Sequence, residues 1–246
     1  MEVKKPVYLD RSYRKLTRVN GLTYFTVMEK ESDLYIAAIR DLSHEALVSL
    51  KLHRSHIENY IRLHDDFLYS LVPLPFNPLA PSIVRDMMEA ASKAGVGPMA
   101  AVAGAIAEYV GRDLLAYSSE VIVENGGDIY AATHRPLEVG IFAGESPLSG
   151  KVKILLQETD MPAGICTSSG TVGPSLSFGK ADAVCIISSS ASLADAAASA
   201  VGNRVKNPRD IEGAITFGKN IPDVKGIVII MGKHMGVWGS VNLKFT

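Results

Sequence analysis

The segment VIVENGGDIY (residues 121–130) runs three β-branched residues directly into a double glycine, after which an extended pattern resumes. β-Branched residues favour strands, and Asn-Gly favours a two-residue hairpin turn because both residues tolerate positive φ. Paired glycines also let a ligand approach backbone N–H groups without interference from a Cβ atom. The segment therefore predicts a hairpin whose turn is either purely structural or part of a ligand site.

The bulk composition is that of a folded globular protein. Of the 246 residues, 47% are hydrophobic and 21% are charged, and the formal net charge of −1 gives no electrostatic basis for binding nucleic acid. Only Cys166 and Cys185 are present, and they lack the spacing of a metal site or a disulfide framework. Residues 1–15 are charged without an apolar core, and no run approaches the ~20 apolar residues of a membrane span. We expect a cytoplasmic protein with no membrane segment.

The first third of the chain predicts a hairpin followed by a long helix. Residues 22–39 contain two strand-like runs around a polar centre, and Ser43 can cap a helix that extends to about Leu68. The stretch LVPLPFNPLAPS (residues 71–82) holds four prolines, so it can be neither a continuous helix nor a central strand. A second helix follows and ends at Gly95.

A helix rich in small residues is predicted within residues 96–117. Pro98 suits the first helical position, where the missing N–H costs nothing. Gly104 and Gly111 each weaken a helix by about 1 kcal/mol relative to alanine. Either close packing against a sheet or close approach of a ligand explains their presence.

The later segments contain hydroxyls, glycines and one isolated carboxylate. Residues 165–180 (ICTSSGTVGPSLSFGK) predict a strand end and a donor-rich loop, and Ser190 or Ser192 caps a following helix. Asp195 and Ser199 are four residues apart on one face of that helix, a pair of hard oxygen ligands suited to Mg²⁺. The alternative is that Asp195 lies in the first turn of the helix, where the helix dipole favours an acid.

Three segments, AGAIAEYVGRD, VIVENGGDIY and SASLADAAASA, resemble in that order segments of the ApbE-like flavin transferases. The resemblance covers residues 97–203 and places the chain in a distant branch of that superfamily. It implies an α/β (α+β) fold: a single domain, residues 1–246, whose mixed sheets and helices enclose a cofactor cleft. The expected parts are a hairpin-and-helix layer (1–70), a Pro-rich connection (71–82) and a motif-bearing portion (83–246).

The resemblance also assigns residues to the site. Family members use FAD and Mg²⁺ to attach FMN to a hydroxyl of an acceptor protein. By position in the motifs, the metal ligands would be Asp195, Ser199 and the backbone carbonyl of Ala107. The cofactor-binding residues would be Asn125, Gly126, Gly127, Asp128, Thr167, Ser168 and Gly170. Residues 232–239, which include the only tryptophan, Trp238, are expected to form a loop near that cleft, with core or interface packing of Trp238 as the alternative.

Two departures from the family pattern bear on function. Glu108-Tyr109 stands where the family commonly has Lys-Gly, and the family's His-x-x-Asp-Pro-x-Thr-Gly segment has no counterpart. These changes leave three hypotheses, none of which assigns a catalytic residue. The first is a Mg²⁺-dependent transferase that uses FAD or another nucleotide, and the second is a non-catalytic carrier of a flavin or nucleotide. The third is an accessory protein of anaerobic sulfur assimilation with Cys166 as its sulfur-handling residue, unless Cys166 is a buried inert thiol.

The partners follow from these hypotheses. We expect a small-molecule flavin or nucleotide, an acceptor protein if the chain is a transferase, and association into a homo-oligomer. Nucleic acid and membrane are not expected partners.

Overall fold

The structure is a computed structural model that describes residues 14, 19–171 and 177–246. The strands are β1 (Thr23–Glu29), β2 (Ser32–Ala38), β3 (Val121–Asn125), β4 (Asp128–Ala132), β5 (Leu137–Gly140), β6 (Val152–Leu156), β7 (Ala163–Ser168), β8 (Ala183–Ser188), β9 (Val224–Met231), β10 (His234–Gly239) and β11 (Asn242–Phe245). The α-helices are α1 (Ser43–Leu63), α2 (Asp66–Tyr69), α3 (Ser82–Ala94), α4 (Val102–Leu114), α5 (Ala191–Gly202) and α6 (Ile211–Gly218).

Two sheets organise these elements. The larger has eight strands in the order β1-β2-β3-β4-β7-β8-β9-β10, and the smaller has the order β11-β6-β5. Every strand pairing in the described residues is antiparallel, so the sheets are not of mixed direction. Because β2 pairs directly with β3, the N-terminal hairpin belongs to the same sheet as the motif-bearing strands. The expected α+β single-domain fold is confirmed.

The large sheet is buried on both faces, which explains the apolar run of β3. Val121 and Val123 belong to the hydrophobic core shared with the helices, whereas Ile122 between them belongs to a second core shared with the small sheet. Successive side chains of a strand point to opposite faces, so a strand covered on both sides is apolar at every position. The helices therefore form one layer and the small sheet the other.

The predicted N-terminal elements are largely confirmed. Residues 22–39 form the hairpin of β1 and β2, with Lys30 at a positive φ of 51° in its turn. The helix after it ends earlier than expected, at Leu63, and the short helix α2 follows. Ser43 is also not the cap: it lies inside α1, and its hydroxyl donates to Asp41.

The small-residue helix is formed as expected, and packing explains its glycines. Pro98 starts a 3₁₀ turn, Pro98–Ala101, that leads into α4. A Cβ atom on Gly111 would lie 2.3 Å from Cδ1 of Tyr130 in β4, and one on Gly104 would lie 2.2 Å from the carbonyl oxygen of Ala191. Close packing against the sheet and against α5 is therefore the reason for both glycines.

The proline-rich stretch 71–82 contains neither strand nor helix up to Ser82, where α3 begins, and Gly95 ends α3 at a φ of 73°. In the part of the chain that the structure describes, no single helix has the length and hydropathy to cross a membrane. Only α3 and the stretch Pro98–Leu114 pass that test together, as a pair bent by 104°.

Candidate functional site

The double glycine forms a two-residue hairpin turn between β3 and β4. Gly126 and Gly127 have φ values of 68° and 108°, and Asn125 pairs with Asp128 across the turn. Side chains with a Cβ rarely adopt such angles, so glycine is required by conformation. The Gly127 N–H donates to Oε1 of Glu124 at 2.7 Å, which fixes the turn from the strand behind it.

This turn lies beside the end of β7. Asp128 is opposite Cys166 in the β4–β7 ladder, and a Cβ atom on Gly127 would lie 3.8 Å from the Thr167 carbonyl oxygen. The structure thus brings residues 125–128 next to Thr167. The turn is structural, and half-buried polar residues lie beside it.

The start of α4 and one face of α5 contribute the other residues of this site. Nδ2 of Asn125 donates to the Ala103 carbonyl oxygen at 3.1 Å, and the Gly104 N–H donates to Oδ2 of Asp195 at 2.9 Å. A Cβ atom on Gly104 would also come within 2.8 Å of the Asp195 Cβ, so the glycine lets the two helices meet here. We call this site the Asp195 recess; its half-buried lining residues are Ala103, Gly127, Thr167, Ser168, Asp195 and Ser199.

Asp195 is not a helix-start acid. Ser190 is the cap of α5, and its hydroxyl oxygen accepts from the Leu193 N–H at 3.3 Å. Asp195 is the fifth helical residue, and the first turn of α5 contains no acid. The helix-dipole interpretation of Asp195 is therefore wrong, as is the alternative that Ser192 caps the helix. Asp195 and Ser199 lie one turn apart, both half-buried.

Two carboxylates, those of Asp128 and Asp195, lie at this site, and both have raised pKa values. Burial raises the pKa of Asp195 to about 7, although the N–H groups of Gly104 and Ala103 oppose the rise. Burial also raises the pKa of Asp128 well above its ordinary value, and the charge of Asp195 raises it further. Carboxylates enclosed together keep a proton between them unless a cation neutralises them.

These residues fit a hard divalent cation. A carboxylate and a hydroxyl one helical turn apart supply two oxygen ligands, and Mg²⁺ keeps its remaining positions for water or substrate phosphates. The structural observation behind this fit is the carboxylate pair of Asp128, which is buried, and Asp195, which is half-buried; a cation would balance their charge. Among the described residues, no group of three or more His, Cys, Asp or Glu side chains could hold a metal, so substrate or backbone oxygens must complete the shell.

The expected backbone ligand, Ala107, lies inside α4. Ala107 is fully buried inside α4, where the helical pattern directs its carbonyl to the N–H of Gly111. The backbone beside the Asp195 carboxylate is that of Ala103 and Gly104, one turn earlier. Ala107 as a metal ligand stays a prediction. The backbone of Ala103 is the one that lies beside the Asp195 carboxylate.

Glu108 has a structural role that sequence reasoning missed. Its buried Oε2 accepts hydrogen bonds from the backbone N–H groups of Ala191 (2.8 Å) and Ser192 (3.2 Å) and from the Ser190 hydroxyl (3.0 Å). Its other oxygen pairs with Arg112. The anion therefore caps α5, the helix that carries Asp195. The sequence signal was an acid in a small-residue helix together with a serine-rich helix start.

Arg14 and Glu124 were also not foreseen. Nε of Arg14 donates to Oε2 of Glu124 at 2.7 Å, while Oε1 of the same carboxylate holds Gly127. Arg14 also contacts Asp33 through Oδ1 and the backbone carbonyl. The turn beside the recess is thus tied through Glu124 to the N-terminal part of the chain.

Cys166 is an inert thiol in this fold. It is fully buried, its Sγ lies 3.3 Å from the Ala191 carbonyl oxygen, and burial raises the pKa of the thiol well above its ordinary value. Since the thiolate is the nucleophile, this arrangement does not suit sulfur transfer.

The remaining predicted positions are only partly beside the recess. Ser168 lies 3.7 Å from where a Cβ atom on Gly202 of α5 would be, but Gly170 is exposed and its N–H donates to the Ala181 carbonyl oxygen. Part of the predicted hydroxyl-glycine loop, residues 172–176, lies outside the described residues.

The expected loop at residues 232–239 is mostly strand. β10 covers His234–Gly239 at the edge of the large sheet, separated from β7 by β8 and β9. Trp238 is half-buried against the helix-side core. The prediction of a loop was wrong. Residues 234–239 combine larger side chains with two glycines, and their backbone pairs in register with β9.

A surface depression of ≈ 500 Å³ lies away from the recess, between α6 and β10. It is open to solvent and includes Arg209, Glu212, Thr216 and His234 among its lining residues. None of the motif residues contributes to it, so the Asp195 recess remains the candidate site.

The fold is that of an ApbE-like protein. Structural comparison finds the ApbE protein of Thermotoga maritima with a TM-score of 0.54 and 12% identity, covering 87% of this chain and 96% of that one. At this level of identity the match shows the fold.

The sequence comparisons show the family. The chain belongs to the family described as "AbpE bacteria", whose model matches residues 14–229. It is 40% identical over 216 residues to a UPF0280 protein of Methanosarcina barkeri, covering 86% of this chain and 85% of that protein. It is also 44% identical over 187 residues to a UPF0280 protein of Methanocella arvoryzae, covering 76% of each.

Proposed function

We propose that the chain is a Mg²⁺-dependent transferase that acts on FAD or a related dinucleotide. The observation that carries the proposal is the pair of enclosed carboxylates, Asp128 and Asp195, beside the Ser199 hydroxyl and next to a backbone turn. A cation and the phosphates of a nucleotide are the chemistry that such a recess can hold. The choice of a flavin as the nucleotide's second group rests on the motif resemblance to the flavin transferases.

In the proposed reaction an acceptor hydroxyl oxygen forms a bond to phosphorus as the pyrophosphate bond of FAD breaks. FMN then joins the acceptor, AMP leaves, and the hydroxyl proton passes to a base or to water. Bound Mg²⁺ would stabilise the phosphate charge that develops. The acceptor is a hydroxyl-bearing protein side chain.

The residues of this chain would prepare the recess for that reaction. Asp195 must lose its proton before it can ligate a cation, and the Gly104 N–H orients its Oδ2. Glu108 fixes the start of α5 and so the direction in which Asp195 and Ser199 point. Asn125 and Glu124 hold the double-glycine turn against α4 and β3.

The experiment incubates the purified protein with FAD and a hydroxyl-bearing acceptor, with and without Mg²⁺, and measures AMP release and acceptor mass. We expect AMP only with Mg²⁺, and none from Asp195→Asn. Asp65→Asn, at the exposed start of α2, is the control and should match wild type. Absence of FAD binding in all conditions would refute the proposal.

A non-catalytic flavin or nucleotide carrier is the second candidate. It is favoured by Glu108, which stands in place of the family's lysine and whose two oxygens are occupied within the fold: Oε2 caps α5 and Oε1 pairs with Arg112. FAD that binds tightly and is recovered unchanged after incubation with Mg²⁺ and acceptor would establish the carrier and exclude the transferase.

A further inference from the structure

The stretch from the end of α1 to the start of α3 exposes an unusual amount of apolar surface. Among the described residues, six large side chains in it are between 57% (Leu71) and 93% (Leu79) exposed. We call them the apolar ridge: Leu63, Tyr69, Leu71, Val72, Phe76 and Leu79. Large exposed apolar side chains concentrated in one stretch of chain mark an interaction site more often than hydrophobic residues scattered singly over the surface do.

The ridge is held in a defined conformation by polar contacts beneath it. Nδ2 of Asn77 donates to the Tyr60 hydroxyl at 3.2 Å, which folds the stretch back onto the last turns of α1. Nη1 of Arg85 donates to the Pro78 carbonyl oxygen at 3.1 Å, and the Ser70 hydroxyl donates to that of Val72 at 2.7 Å. A surface that is ordered before binding loses less entropy when a partner covers it.

The charge and the backbone chemistry of the ridge limit which classes of partner can bind it. Residues 67–84 contain no charged side chain, and the prolines at 73, 75, 78 and 81 remove backbone donors. A partner strand could not pair with such a backbone, and a charged ligand would find no counter-charge. Cores of protein–protein interfaces are depleted of charge in the same way.

The rim of the ridge carries both signs of charge. Asp65 and Asp66 lie at one end of the charge-free run, and Arg62 and Arg85 flank it. Exposed acids at the rim disfavour an anionic membrane surface, whereas a patch with both signs can match a second copy of itself turned by a twofold axis. We propose that the apolar ridge is the interface of a symmetric homodimer.

The size of the ridge is compatible with that role. Tyr69 is 76% exposed and Phe76 58%, so each can still bury roughly that share of the about 150–250 Å² of an aromatic side chain, and the four aliphatic side chains add to this. Stable dimers bury roughly 800 Å² per partner, which the ridge and its rim can approach.

The test measures the mass of the full-length protein in solution by light scattering and sedimentation over a range of concentrations. We expect a dimer for wild type and a dissociation constant at least about 30-fold larger for Phe76→Glu/Leu79→Glu, the change expected for loss of a central contact. Val48→Glu, which alters a similarly exposed residue on α1, should stay dimeric. A wild-type monomer, or a dimer that the double variant leaves intact, would overturn the proposal.

A second measurement does not depend on how the glutamate variants fold. Leu79→Cys should be cross-linked to a dimer by a short bis-maleimide, whereas Val48→Cys, outside the ridge, should not. The native Cys166 and Cys185 are buried, so they should not react in either variant. A monomer that instead sediments with phosphatidylcholine or phosphatidylglycerol vesicles would overturn the dimer and assign the ridge to a membrane surface.

Discussion

Oε2 of Glu108 in α4 accepts a hydrogen bond from the Ala191 N–H of α5 at 2.8 Å, so one helix caps another. The bond is buried and charge-assisted, and it lies one turn before Asp195 in the same helix. Glu108, at the position where a lysine was expected from the motif, therefore has a structural role: it joins α4 to the start of α5.

Glu108→Gln should lower the free energy of unfolding by about 1–3 kcal/mol, because the charge that caps α5 and pairs with Arg112 is removed from a buried site. Denaturant titration checks this. Glu212→Gln removes an exposed first-turn acid of α6 and should cost at most about 0.5 kcal/mol. Equal losses in the two variants would contradict the capping role.

Gly104→Ala should destabilise the fold strongly and disturb the recess, because the new Cβ would lie 2.2 Å from the Ala191 carbonyl oxygen. Overpacking of this kind costs typically 1–3 kcal/mol. Gly213→Ala in α6, where no atom lies within 4 Å of the new Cβ, should be neutral or slightly stabilising. Thermal unfolding of the two variants measures the difference. If Gly104→Ala were as stable as wild type, α4 and α5 could move apart with little loss of free energy of unfolding, which would contradict the close-packing role of Gly104.

Cation binding should depend on pH. Because burial raises the pKa of Asp195 to about 7, we expect Mg²⁺ affinity to rise as the pH increases towards 7 and to level off above it. Isothermal titration across that range checks the slope. Asp195→Ala should abolish binding, Ser199→Thr should keep it, and Ser199→Ala should weaken it. Wild-type binding by Asp195→Ala would exclude the metal role.

The stability of the metal-free protein should fall across the same range. The pKa of Asp195 in the folded protein is above its ordinary value of 3.8, so the folded protein holds a proton that the unfolded chain releases. The free energy of unfolding therefore decreases as pH rises from about 4 to about 7. Asp195→Asn should flatten this dependence on pH, which unfolding curves at several pH values can measure. If the dependence were unchanged in the variant, it would come from titratable groups other than Asp195.

The sequence predicted local elements better than contacts between them. The β3–β4 hairpin was predictable because its Gly-Gly turn needs positive φ. The place of Trp238 in an edge strand was not, since three nearby glycines favour a loop and only pairing with β9 overrides them.

The same limit applies to the recess. Asp195 and Ser199 were identified as neighbours because helical spacing is local. That Glu108 serves α5, or that Arg14 reaches Glu124 across 110 positions, depends on tertiary packing that spacing does not encode.

The large sheet divides at the β4–β7 pairing into four strands from residues 23–132 and four from residues 163–239. Asp128 belongs to the first of these segments and Asp195 to the second, and the charge of Asp195 disfavours ionisation of Asp128. A cation bound between them would hold the two segments together, so occupancy would slow their separation. Resistance to proteolysis would then report the filling of the recess, even in a variant that has lost all turnover.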